Sequence, residues 1–163
     1  MRLILFRHGI AEDRRPGLDD ADRRLTPLGV ERTRLAARGL AKLHTNIDRI
    51  LTSPKLRALE TAELLGEVVG QPVETCEPLS GGSLDEVVGV IEKLPDQTPV
   101  LVGHEPMLSM LTEQLCGGDH AYTIGLKKAG AVVIRIDDFQ QAYGVLEALL
   151  PPKVLRALSE HEA

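Results

Sequence analysis

Short apolar runs recur along this chain and alternate with longer stretches of helical periodicity, and that alternation constrains the fold more than any other feature. It is the pattern of an α/β fold with a mostly parallel sheet. Residues 3–6 read as a buried first strand. Residues 9–24 carry many charges together with Pro16 and Gly17, and are expected to be loop. Thr26-Pro27 places a capping side chain before a proline at the first helical position, and apolar residues then recur at helical spacing through Leu35, Ala36, Leu40 and Leu43. Residues 47–52 predict a second strand. Ser53-Pro54 repeats the cap-plus-proline start and predicts a helix running to about Gly70. A weaker strand follows at 73–76, and Ser83-Leu84-Asp85-Glu86 forms a capping box for a helix that ends before Pro95. Residues 99–102 form another buried strand, followed by a helix to about Cys116. Residues 131–136 and 145–150 flank a polar turn and predict an antiparallel pair at a sheet edge, and Pro151-Pro152 lead into a short last helix.

At 163 residues the chain fits one domain, 1–163, with no repeat and no linker long enough to divide it. Apolar residues make up 43% and charged residues 26%, with a net charge of -5. A chain this acidic lacks the broad cationic face of a non-specific nucleic-acid binder. With two Phe, two Tyr and no Trp, it also lacks base-stacking platforms and interfacial aromatic belts. No apolar run approaches membrane-spanning length, and residues 1–6 are too short for a secretory signal, so a cytoplasmic location is expected. Cys76 and Cys116 belong to no CxxC pattern and read as reduced thiols. His44, His120 and His161 are scattered and read as surface residues. No ligand cluster suggests a metal, and no motif calls for a cofactor.

Three places share one address. Arg7-His8-Gly9 follows the first strand, Arg57 lies in the first turn of the helix after the second, and His104 follows the strand at 99–102. Ligands in open α/β sheets bind beyond the carboxyl ends of the strands, so two His and two Arg converge on one edge. Each alone has a plainer explanation: a hydrogen-bonded turn histidine, an arginine pairing with Glu60, a residue beside a helix cap. Together they suit phosphoryl transfer. Guanidinium forks match the charged equatorial oxygens, and a neutral histidine can attack phosphorus and form a covalent intermediate. Gly9 lets the backbone approach a ligand closely.

These residues resemble a known family. Arg7-His8-Gly9, then Ser53-Pro54-Lys55-Leu56-Arg57-Ala58 with Thr61-Ala62, then Val102-Gly103-His104-Glu105-Pro106, are similar to the motifs of the histidine phosphatase superfamily. Asp20…Arg23-Arg24-Leu25-Thr26…Gly29 resembles the D-x-x-R-x-L-T-x-x-G stretch of its SixA-type phosphohistidine phosphatases. The resemblance implies a three-layer α/β/α, phosphoglycerate-mutase-like fold without large cap insertions. It implies His8 as nucleophile, with Arg7, Arg57 and His104 forming the phosphate pocket. Arg23 is implied as a further phosphate or substrate contact, its alternative being a solvated loop arginine.

Many relatives carry a glutamate after the third strand that protonates the leaving alkoxide. Here the matching position falls on Pro78, with Glu77 one residue away, and SixA-type members are similar in lacking a clear acid. The resemblance therefore implies a metal-independent phosphohistidine phosphatase acting on a phosphorylated carrier protein. A phosphatase for small phosphate esters or phosphoamides, and an idle phosphate-binding regulator, are the alternatives.

Overall fold

The computed structural model describes residues 1–94, 98–117, 124–137 and 144–160. Its strands are β1 (Arg2–Arg7), β2 (Arg49–Thr52), β3 (Val73–Thr75), β4 (Pro99–Gly103), β5 (Ala131–Ile136) and β6 (Gly144–Leu150). Its helices are α1 (Pro27–Leu43), α2 (Leu56–Val69), α3 (Leu84–Ile91), α4 (Met107–Leu115) and α5 (Pro152–Glu160). The strands form one sheet in the order β3-β2-β4-β1-β5-β6. The first four are mutually parallel, while β5 and β6 complete the sheet as an antiparallel edge.

Alternation along β1 explains the three layers. Leu3 and Leu5 face a core shared with Val87 and Ile91 of α3 and with Leu108 and Leu111 of α4. Ile4 and Phe6 face the opposite core, with Ala36 and Leu40 of α1, Ala62 and Leu65 of α2, and Leu155 of α5. A central strand covered on both faces must be apolar throughout, which is why residues 3–6 carry no polar position.

The local signals at α1 and α3 hold. Thr26 accepts from the Gly29 amide, and Ser83 and Glu86 form the reciprocal capping box. The expected helix start at Ser53-Pro54 does not hold. The helix begins at Leu56, and its flanking residue Lys55 makes no side-chain cap. Ser53 is instead drawn into the site described below. The charged segment at 9–24 is largely loop but ends in a short 3-10 turn, Asp20–Asp22, capped by Asp19. His44 is half-buried rather than a surface residue, and His120 and His161 lie outside the described residues. Both cysteines are free thiols. No helix among the described residues is long and apolar enough to cross a membrane.

Candidate active site

Strand register assembles the site. In the parallel pairing of β1 with β4, Arg7 stands opposite Gly103, so the next residues, His8 and His104, emerge side by side. Their ring centroids are 5.0 Å apart. In the pairing of β2 with β4, Thr52 stands opposite Val102, and the Ser53 amide donates to the Val102 carbonyl at 3.0 Å. Ser53, His104 and His8 thus form a row across the carboxyl ends of three adjacent strands. The Ser53 hydroxyl lies 2.8 Å from His104 Nε2 and also accepts from the Lys55 amide at 3.3 Å.

His8 is buried, with 6% of its surface exposed. Its Nδ1 lies 2.7 Å from the Gly9 carbonyl. A carbonyl oxygen only accepts, so Nδ1 carries the proton and Nε2 the lone pair. Burial, reinforced by Arg57, Arg7 and Lys128, lowers the His8 pKa to about 4, against a weaker opposing pull from the Gly9 bond. Burial likewise lowers His104 to about 3, with His8, Arg57 and Lys55 adding to the effect. Both imidazoles are therefore neutral at pH 7.

The glycine next to His8 has a specific packing role. A Cβ at Gly9 would lie 2.1 Å from Thr33 Oγ1, so the close approach that glycine permits here is to α1. Its amide is also engaged, donating to Thr61 Oγ1 at 3.0 Å, while the Thr61 hydroxyl donates to the Arg57 carbonyl at 2.7 Å. This threonine, one turn after Arg57, ties α2 to the His8 turn.

The two arginines are anchored on opposite sides. Arg7 Nη1 donates to the Leu126 carbonyl at 2.6 Å. The Leu126 amide in turn donates to Glu105 Oε1 at 2.8 Å, and that carboxylate also accepts from the Ser109 hydroxyl at 2.7 Å. Arg57 donates to both the main-chain carbonyl and the carboxylate of Asp20, the latter at 3.0 Å. The buried Nε atoms of Arg7 and Arg57 and Nδ1 of His104 have no hydrogen-bond partner among the described residues. These nitrogens at the carboxyl ends of the strands are available to an anionic group.

Asp20 gathers cations. Besides Arg57, its carboxylate contacts Arg23 at 2.8 Å, Lys55 at 3.2 Å and Arg14 at 3.3 Å. Arg23 most of all, then Arg57 and Lys55, hold it far below the usual carboxylate range. Arg23 also donates to the Glu12 carbonyl at 2.7 Å. It is brought to the site's edge through Asp20 and is neither solvated nor paired with α2.

Beyond Arg57 and His104 opens a cleft of about 430 Å³, bordered by Asp20, Lys55, Ser80–Gly82, Leu84 and Met107. Glu77, the nearest residue to the acid's position in other relatives, is exposed and is not among the residues lining it. Sequence reasoning singled out His8, Arg7, Arg57 and His104, and the structure brings all four together. Ser53, Lys55, Thr61, Glu105 and Asp20 stood in the sequence only as parts of motifs, and none of them carried an expected role at the site. Asp20 acts across 37 positions of chain, beyond the reach of local pattern.

Comparison with known proteins agrees with this geometry. The family model described as Histidine phosphatase superfamily (branch 1) matches residues 3–90. An uncharacterized protein of Picosynechococcus is 41% identical over 140 residues, covering 83% of this chain and 85% of its own. The phosphohistidine phosphatase SixA of Escherichia coli is 30% identical over 125 residues, covering 73% and 76%. The structure of the protein histidine phosphatase SixA complexed with tungstate superimposes with a TM-score of 0.84 at 25% identity, covering 95% of this chain and 99% of that one. The three-layer, phosphoglycerate-mutase-like arrangement is thus the observed fold, and the chain belongs to the histidine phosphatase superfamily, branch 1.

Proposed function

We propose that the protein is a phosphohistidine phosphatase that works through a covalent intermediate on His8. The observation that carries this reading is the state of His8: neutral, with Nδ1 committed to the Gly9 carbonyl and the Nε2 lone pair left for attack. In the first step Nε2 attacks phosphorus, a P–N bond forms, and the bond to the leaving group breaks with its electron pair departing on that group. In the second step water attacks phosphorus and gives up a proton to phosphate or solvent, the P–N bond breaks with its electron pair returning to His8 Nε2, and inorganic phosphate leaves. Arg7 and Arg57 bind the equatorial oxygens as charged forks, and His104 contributes a further contact. The two guanidinium groups supply the charge stabilisation that a divalent ion supplies in other phosphatases, so the reaction is metal-independent.

Substrate choice follows from the leaving group. Imidazole has a conjugate acid that titrates near ~6.5, so the ring nitrogen not bonded to phosphorus takes a proton from solvent and the ring departs as neutral imidazole, whereas an alkoxide needs a positioned acid. The SixA relative of Escherichia coli supports the same substrate. The partner is then a phosphorylated carrier protein in the cytoplasm. Arg23 acts at the pocket edge through Asp20.

Steady-state rates on a phosphohistidine protein, on an aryl phosphate and on alkyl phosphate esters test the reading. Phosphohistidine should give the highest kcat/KM. Faster turnover of alkyl esters would place small phosphate esters first.

A further inference from the structure

The cleft beyond Arg57 and His104 has two chemically different walls. One carries Lys55, Arg57 and His104 together with Asp20. The other is apolar: Leu79, Leu84, Met107 and Met110. Leu79 belongs to the core, and Leu84 and Met107 pack against it, so that wall is fixed by the fold. Met107 and Met110 stand three residues apart on α4 and share a face of it. Ser80–Gly82 also line the cleft. Gly81 adopts a φ of +155° with nothing within 4 Å of a would-be Cβ, so this part of the lining contributes no side chain of its own.

From these features we infer that this cleft is a leaving-group subsite built for a planar, apolar-faced ring attached to phosphorus. The inference rests on the proposed phosphoryl pocket and extends it to the other half of the substrate. His8 is buried and does not line the cleft, whereas Arg57 and His104 do. A phosphoryl group held by those two has the nucleophile on one side and the cleft on the other. Displacement at phosphorus is roughly in line, so the departing group enters the cleft.

The apolar wall then selects. Thioether sulfurs are polarizable, favour contact with aromatic rings, and adapt to ring shape. A polyol ester would press hydroxyls against Leu and Met side chains that offer no strong hydrogen-bond partner, and burial of an unpaired hydroxyl is unfavourable. The two carboxylates bordering the cleft do not act as acids toward an alkoxide. Asp20 is held ionised by its cations. Glu105 already accepts from the Ser109 hydroxyl and amide and from the Leu126 amide. A ring whose departing atom needs no protein acid is the occupant that fits both walls.

Calorimetric titration with two non-hydrolysable probes, phenylphosphonate and methylphosphonate, tests the subsite without any turnover. Phenylphosphonate should bind about tenfold more tightly, the effect expected for burying one face of a ring. Met107→Gln with Met110→Gln, which keep side-chain volume but add an amide, should erase that preference and leave methylphosphonate affinity unchanged. Circular dichroism of the variant checks that it is folded, and Met110→Gln alone should halve the preference if the pair does not fold. Equal affinity for the two probes, or a phenyl preference that survives these substitutions, overturns the subsite, as does failure of phenylphosphonate to bind. A phenyl preference that is present and abolished as expected, in a protein that does not turn over phosphohistidine, upholds the subsite and refutes the proposed substrate instead.

Discussion

Asp20 holds Arg57 twice, through its main-chain carbonyl and through its carboxylate at 3.0 Å. The first contact fixes the direction of the guanidinium, and the second partly neutralises it. The two effects separate in Asp20→Asn, which keeps the carbonyl and removes the charge. Inorganic phosphate should then inhibit about five- to tenfold more strongly, because the anion no longer competes with a carboxylate at close range. Inhibition constants for phosphate measure this directly. Weaker inhibition would mean that the carboxylate's main effect is to orient Arg57.

Arg57 itself should tolerate no conservative change. Lysine keeps the charge but cannot reproduce a planar fork that reaches Asp20 and a phosphoryl oxygen together. Arg57→Lys should therefore lose nearly as much kcat/KM as Arg57→Ala, about 2–4 kcal/mol of transition-state stabilisation. A lysine variant with near-normal rates would reduce Arg57 to a distant charge.

The buried histidines predict an acid limb in stability. His8 and His104 are lowered from 6.5 to about 4 and about 3. Between those values and 6.5 the unfolded chain binds protons that the folded chain refuses, so stability is complete above about pH 6.5 and declines as pH falls toward 4. The Asp20 carboxylate, held low in the fold, adds its own loss only below its ordinary value of 3.8. Melting temperatures recorded from pH 7 to 4 should fall across that window, and the fall should shrink in His8→Gln with His104→Gln. NMR titration midpoints near 6.5 for both rings would contradict the burial argument.

Local signals made most of the fold legible: the doubly covered strand at residues 3–6, the Thr26 cap, and the capping box at Ser83 each form as the sequence implies. Ser53-Pro54 did not: the Ser53 hydroxyl engages both the Lys55 amide and His104, which follows β4, and the helix starts only at Leu56. The four residues with charge and chemistry were legible because each lies at the end of a strand or shortly after one. Asp20, Thr61 and Glu105 were not, because their roles come from tertiary contacts with Arg57, Gly9 and Leu126. The cleft's apolar lining was hidden for a similar reason: Leu79 and Met110 look like ordinary core residues until the fold brings them to the same cleft as Arg57.

Glu77 offers a check on leaving-group chemistry. It is exposed and stands away from the cleft lining, so Glu77→Gln should leave the rate ratio between aryl and alkyl esters unchanged. In the wild-type protein that ratio should favour the aryl ester by on the order of a hundredfold, the contribution that a missing general acid would have made. A selective loss of alkyl-ester activity in Glu77→Gln would identify that carboxyl as the acid.

The central claim is that His8 becomes phosphorylated, and rapid-quench trapping with a labelled phosphoryl donor tests it most directly. A labelled protein should appear within one turnover, survive alkali and lose its label in acid, as a phosphoramidate does, with the label mapping to His8 and absent from His8→Ala. Label that withstands acid, or that persists undiminished in His8→Ala, would contradict the mechanism.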